Sequence, residues 1–189
     1  MTTQYYTASS LDGFIATEDH SLEWLFPLAT LETTSYPAFI AEVGAIAMGA
    51  STYEWLLKHH VKLGTESESP WPYSQPVWVF TSRQLPAPAG ADIRFVRGSV
   101  APVHAAMTAM AGSRNVWIVG GGDLAGQFLD ASLLDELIVQ IGSVTLGQGK
   151  ALLPRRVLSP SLRLKSVHQF GEGMVELRYA VDAIPREGA

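Results

Sequence analysis

The residues whose types and spacing speak most directly of chemistry are Gly120-Gly121-Gly122, followed by Asp123 and Leu124. The apolar run Asn115–Val119 delivers them to what reads as the start of a helix. Without Cβ atoms a backbone can approach an anion closely, and the first N–H groups of a helix point at it. A pyrophosphate is the natural guest; a tight strand-to-helix turn with no ligand is the competing reading. The spacing is not the GxGxxG of a dinucleotide fold, and it arrives late in the chain. A second place is Thr81-Ser82-Arg83, where two hydroxyls and a guanidinium fork close a strand and match phosphate geometry, unless they form a plain surface turn. A third is Met48-Gly49-Ala50-Ser51-Thr52, again strand, glycine and helix, where Ser51 or Thr52 could simply cap the helix. Gly147-Gln148-Gly149-Lys150 fails as a P-loop, because Val144 stands at the first glycine and Ala151 at the Mg²⁺-binding hydroxyl.

These junctions need elements to hold them. Gln4–Ala8, Ala45–Met48, Val77–Phe80, Ile93–Val96, Asn115–Val119 and Leu134–Ile141 read as strands. Ser21–Glu42, interrupted by Pro27 and Pro37, carries helical periodicity, as do Thr52–His60, Val100–Met110 behind the cap Ser99, and Asp123–Leu129. Leu63–Gln75 is rich in Ser, Pro and Glu and reads as a surface loop. Leu162–Phe170 and Met174–Val181 flank Gly171-Glu172-Gly173 as a terminal hairpin. Alternating strands and helices closed by a hairpin predict an α/β fold whose sheet is mostly parallel with an antiparallel edge. Ligands of such sheets sit beyond the carboxyl ends of the strands, where all three glycine or hydroxyl junctions fall.

Composition narrows the function classes. The chain has 189 residues, no cysteine, 13 basic and 18 acidic side chains, and a net charge of −5. One domain over residues 1–189 is expected, without disulfides, thiolate zinc or a cysteine nucleophile. The five histidines show no metal-ligand spacing and no hydrolase signature is visible, so no metal is expected. Residues 1–57 contain no Lys or Arg, and no basic stripe follows, which argues against nucleic acid. Nothing reads as a leader or a membrane span, so a cytoplasmic location is expected. A charged fraction of 16% against about 25% in ordinary domains suggests surface covered by a partner, and a homodimer through Leu134–Ile141 and the hairpin is expected.

Taken in order, Ser10-Leu11-Asp12-Gly13-Phe14-Ile15-Ala16, Met48–Glu54, Thr81–Arg83, Gly120–Leu124 and Leu134–Leu137 leading to Gly149 resemble the dihydrofolate reductase fold family. The nearer match is its branch holding the reductase domain of riboflavin biosynthesis, the RibD C-terminal domain, with small stand-alone relatives. The resemblance implies a three-layer fold and NADPH as cofactor. It assigns Gly121 and Gly122 to the pyrophosphate, with Asp123 and Leu124 opening the helix behind them, counts Gly120 among the cofactor-binding residues, and gives Gly49, Ser51 and Thr52 further phosphate contacts. Ser82 and Arg83 would meet the adenosine 2′-phosphate. Ala8, Ile15 and Ala16 would border the nicotinamide, under a flap running from Ala16 to Trp24. Asp12, Phe14 and Trp24 fall on the acceptor side.

The departures bear on the acceptor. Ala50 replaces a frequent Arg, Phe14 a Lys and Gly120 a Glu of the riboflavin branch, which predicts a more apolar and wider pocket. Folate reductases carry one buried carboxylate on the helix after the flap, and only Glu32 lies near that position. The expected activity is hydride transfer from NADPH to a small C=N or C=O acceptor, with the proton from water or from a buried Glu32. The rival is a nucleotide-binding or dimerising module of the same fold whose catalysis has decayed.

Overall fold

In the computed structural model, which describes residues 1–182, one eight-stranded sheet divides two helical layers. The last seven residues of the expected 1–189 domain lie outside the described part. The strands of this sheet are β1 (Thr3–Ser10), β3 (Val43–Gly49), β4 (Val77–Phe80), β5 (Ile93–Val96), β6 (Asn115–Gly120), β7 (Glu136–Gly142), β9 (Leu162–Phe170) and β10 (Met174–Val181). Their order is β5-β4-β3-β6-β1-β7-β10-β9. The first six run parallel, and the hairpin β9–β10 joins β7 antiparallel. The expected α/β, three-layer fold with its antiparallel terminal hairpin is the fold observed. A smaller ladder, not foreseen, pairs β2 (Phe14–Ala16) with β8 (Lys150–Ala151).

Successive strand residues face opposite layers. Tyr5, Ala45, Ala47, Val116 and Ile118 pack under α3 (Val100–Ala111) and α4 (Gly122–Asp130). Tyr6, Ile46, Met48, Trp117 and Ile138 face α1 (Tyr36–Ala41), α2 (Ala50–Trp55) and the π-helical turns Leu56–Val61 that continue it. This burial on both faces is why the parallel strands read as near-continuous apolar runs. Ser99 caps α3, its Oγ accepting from the Ala101 N–H at 3.3 Å. Trp71 and Tyr73 pin the Leu63–Gln75 loop, their rings 5.6 Å from those of Tyr53 and Trp117 respectively.

Two expectations fail here. The stretch Ser21–Glu42 is not a long helix: turns run to Thr30, a 3₁₀ turn covers Leu31–Thr33, and only Tyr36–Ala41 is α-helical. Pro37 sits in the first turn of α1, where its missing N–H costs nothing, so it starts the helix that it was expected to interrupt. The strand expected at Leu134–Ile141 is β7, an interior strand between β1 and β10, and cannot serve as a docking edge.

The strand order explains why the junctions meet. β6 is inserted between β3 and β1, so the chain leaves adjacent strand ends after Gly49 and after Gly120, with Met48 opposite Gly120 in register.

Candidate functional site

The three glycines after β6 do three different things. Gly120 has φ +144, a conformation closed to ordinary L side chains, and a Cβ on it would lie 3.7 Å from Thr52 Oγ1. A Cβ on Gly121 would meet only Ile15 Cδ1, at 3.9 Å, so its outer side is open. Gly49 faces the same junction, its missing Cβ 3.7 Å from the Gly120 carbonyl oxygen. Gly49, Thr52, Gly120, Gly121 and Ile15, drawn from three loops, therefore surround one place at the strand ends. The first N–H groups of α4 have no intrahelical partner or side-chain cap and lie beside them.

Gly122 differs from what was expected. A Cβ there would run into the carbonyl oxygens of Ala151 and Leu152, so this glycine lets the β8 segment cross the start of α4. Its role is close packing of chain on chain. Leu124 is buried in the core and can offer only its backbone. Asp123 is 69% exposed, and its side chain accepts from Gln127 at 3.0 Å and from Arg155 at 3.1 Å. The Gln127 contact, with Arg155 behind it, holds its carboxyl below the usual range. Asp123 thus anchors Arg155, which also reaches Asp130 at 2.7 Å, and its side chain has no call on a phosphate. Neither Ser51 nor Thr52 caps α2, whose N-cap is Gly49; Ser51 is exposed. Ala8 stands on β1 opposite Gln140, and Ala16 ends β2, buried against the β8 segment.

Beyond β4, the Arg83 N–H donates to Thr81 Oγ1 at 3.0 Å and shapes the turn that carries Ser82. The turn opens on a cavity of about 410 Å³ lined by Thr81, Arg83, Gln84, Leu85, Phe95 and Arg97. Arg97, at the end of β5, was not singled out in the sequence. No local signal marks it: it reaches the cavity because β5 pairs in register with β4, Phe80 opposite Val96. The Arg83 fork is itself engaged, Nη1 and Nη2 donating to the two carboxylate oxygens of Glu54 at 2.8 and 2.7 Å.

On the acceptor side the expectation for Glu32 does not hold. It lies exposed in the 3₁₀ turn, and a local backbone hydrogen bond, then Thr30, hold its carboxyl low, the opposite of a buried acid with raised pKa. Asp12 is committed elsewhere: it accepts from Ser10 Oγ at 2.6 Å and from the N–H groups of Leu146 and Gly147 at 3.1 and 2.7 Å. It fastens the turn after β1 to the loop before β8. Phe14 pairs with Ala151 in the small ladder. Trp24 lies over Gly142 at the end of β7, with its Nε1 buried and unpartnered.

Two carboxylates are buried on this face, Glu136 on β7 at 6% and Glu176 on β10 at 3% exposed, and Glu176 is the one in line with Ala8. It stands in one cross-strand row with Ala8 and Gln140. Gln140 Nε2 donates to it at 3.0 Å, Arg178 Nε at 2.8 Å, and Ser35 Oγ by a short contact. Burial alone would raise its pKa, but the donors Ser35, Arg178 and Gln140 outweigh burial and hold it low. Tyr6 Oη closes the cluster, 3.2 Å from Ser35 Oγ and 2.7 Å from Gln140 Nε2. No local pattern marks it: Ser35 and Glu176 are 141 residues apart.

A parallel sheet with a glycine junction at a strand crossover, a second layer of short helices and an antiparallel terminal hairpin define a dihydrofolate reductase-like α/β protein. The RibD C-terminal domain family model matches residues 2–176, and the chain belongs to that family. It is 34% identical over 178 residues to the uncharacterized protein YwjB of Bacillus subtilis (strain 168), covering 94% of this chain and 96% of that one. Among solved structures it is similar to a Shewanella sp. PV-4 protein whose name refers it to riboflavin biosynthesis, with TM-score 0.80 and 25% identity over 96% of this chain and 99% of the other. The fold also matches dihydrofolate reductase from Enterococcus faecalis, solved with NADP(H), at TM-score 0.62 and 16% identity, covering 96% of each chain.

Proposed function

We propose that the chain is one reductase domain that binds NADPH and delivers its hydride to a small C=N or C=O acceptor. The observation that carries this reading is the convergence of Gly49, Thr52, Gly120, Gly121 and Ile15 at adjacent strand ends. A cradle with the Cβ atoms removed, beside free helix N–H groups, suits a pyrophosphate. The cavity between Arg83 and Arg97 suits a nucleotide end: two guanidinium groups for a phosphate ester, Leu85 and Phe95 for a base.

When bound, the cofactor supplies the hydride. The residues of the chain would hold it and the acceptor in contact: Ile15 beside Gly121, Ala8 and Ala16 on the neighbouring segments, and Trp24 with the flap keeping water out. Glu32 has no part in this, and the proton comes from solvent. Residues 1–57, which border the acceptor, hold no Lys or Arg, and Arg178 beside them is tied to Glu176, which favours a neutral or weakly charged molecule, with Lys150, opposite Ala16, the cation left nearby. Nucleic acid and membrane are not part of the reading, and among the described residues no helix is long and apolar enough to cross a bilayer.

Titration with NADPH, followed by fluorescence and thermal shift, should saturate well below millimolar. Flat signals up to millimolar cofactor would exclude the reductase. Arg83→Ala should weaken NADPH much more than NADH; equal losses would mean that Arg83 does not read the 2′-phosphate. One observation favours the non-catalytic module instead: both buried acids of this face are already engaged by the chain itself, Glu176 by three donors and Glu136 by Gln4 and Lys165. Tight NADPH binding with no oxidation in the presence of pterins, pyrimidines or simple carbonyls would establish that second reading.

A further inference from the structure

The cavity beside β4 and β5 poses a question of charge. A phosphate monoester brings roughly two negative charges at neutral pH. Two guanidinium groups line the cavity, but they are not equally available. Arg97 forms no ion pair with any described residue. Arg83 is held end-on by Glu54, with both forks of the guanidinium spent on one carboxylate. Glu54 sits on α2 and does not line the cavity, so its hold draws the best face of Arg83 away from any guest. A planar fork satisfies one carboxylate or one phosphate bidentately, not both on the same pair of N–H groups.

We propose that Glu54 is a specificity-determining residue that competes with the 2′-phosphate of the cofactor for Arg83. The inference rests on the reading of Arg83 as the 2′-phosphate residue. An NADPH molecule must take the fork from Glu54, whereas NADH, without the 2′-phosphate, has no use for it. Glu54 thereby lowers the preference for NADPH that Arg83 and Arg97 would otherwise impose. The pair is well placed to exchange, because both side chains are substantially exposed, at 54% and 40%, and such pairs are weak. The same exposure makes the competition sensitive to salt.

The test compares wild type, Glu54→Gln, Arg83→Ala and the double variant by calorimetric titration with four probes. These are NADPH, NADH, adenosine 2′,5′-bisphosphate and adenosine 5′-monophosphate. Glu54→Gln should tighten the two 2′-phosphorylated probes by about fivefold, equivalent to about 1 kcal/mol, and leave the other two unchanged. The gain should shrink in high salt and vanish in the Arg83→Ala background. Weaker binding of 2′-phosphorylated probes by Glu54→Gln would mean that Glu54 orients Arg83 for the phosphate, and the proposal falls. Equal changes for NADPH and NADH, or a gain that persists without Arg83, would overturn it too. Tightening of adenosine 2′,5′-bisphosphate by a protein that does not bind NADPH would keep the competition and discard the reductase. No binding of any probe would discard both.

Discussion

Glu176 shows how a single side chain can be expensive to bury and still be held ionised. Three donors meet its carboxylate within a row that ties β10 to β7 and to the start of α1. Glu176→Gln removes the charge and leaves Arg178 and Ser35 with a poorer acceptor, and should destabilise the fold by about 1–3 kcal/mol at neutral pH. The carboxyl is held lower in the folded than in the unfolded chain, so its contribution is complete above the ordinary glutamate range and is lost as pH falls through the folded value. Urea titrations should therefore show a gap between wild type and variant that is constant from pH 7 down to about 4.3 and closes below. A gap that persists unchanged at pH 3 would contradict this assignment. Glu32, exposed and held only by its own backbone and Thr30, should be replaceable by Gln with a far smaller gap of the same sign.

At the scale of elements, the β2–β8 ladder straps β8 and Leu152 across the start of α4, with the loop before β8 fastened beside it. Gly122 and Asp12 are its two fastenings: the first gives the crossing room, the second holds the N–H groups of Leu146 and Gly147. Gly122→Ala forces a methyl group into the Ala151 and Leu152 carbonyls and should cost roughly 1–3 kcal/mol by the overpacking rule. It should also weaken NADPH, because the strap and the helix start that frames Gly121 move together. Asp12→Ala should leave global stability little changed while amide exchange at Leu146 and Gly147 accelerates on the order of tenfold. Unaltered exchange at those two amides would show that the loop stands without Asp12. Here the sequence marked the right residues for a different reason, since a glycine after a strand serves a ligand or a crossing chain equally well.

For the whole molecule, the parallel sheet ends in a hairpin whose outer strand, β9, has no neighbour on its far side among the described residues. Its residues are almost all exposed, with Leu164 at 51% and Val167 at 59%. An irregularity in the β9–β10 register places Leu164 opposite Tyr179 and Val167 opposite Leu177, so both apolar side chains face the same way despite a spacing of three. Arg163, Lys165 and the irregularity blunt this edge, so pairing with a second copy would rest on Leu164 and Val167. The homodimer reading therefore drops β7 and keeps the hairpin, through β9: light scattering should give a dimeric mass, and Leu164→Lys with Val167→Lys should give a monomer. A monomeric wild type would end it.

The sequence alone determined the strand runs, the cap of α3, the hairpin and the place of the glycine junctions. These follow from local preferences, β-branched runs bounded by glycine and side-chain caps, that need no partner from far along the chain. It also carried the family, because five short motifs in order constrain the backbone at five strand ends. What only the tertiary structure decided were the pairings. Which carboxylates are buried, that Arg97 joins Arg83, that Glu54 holds it, and that β7 lies inside the sheet all depend on strand order. That order is set by how two helical layers close over one sheet, and no stretch of neighbouring residues records it.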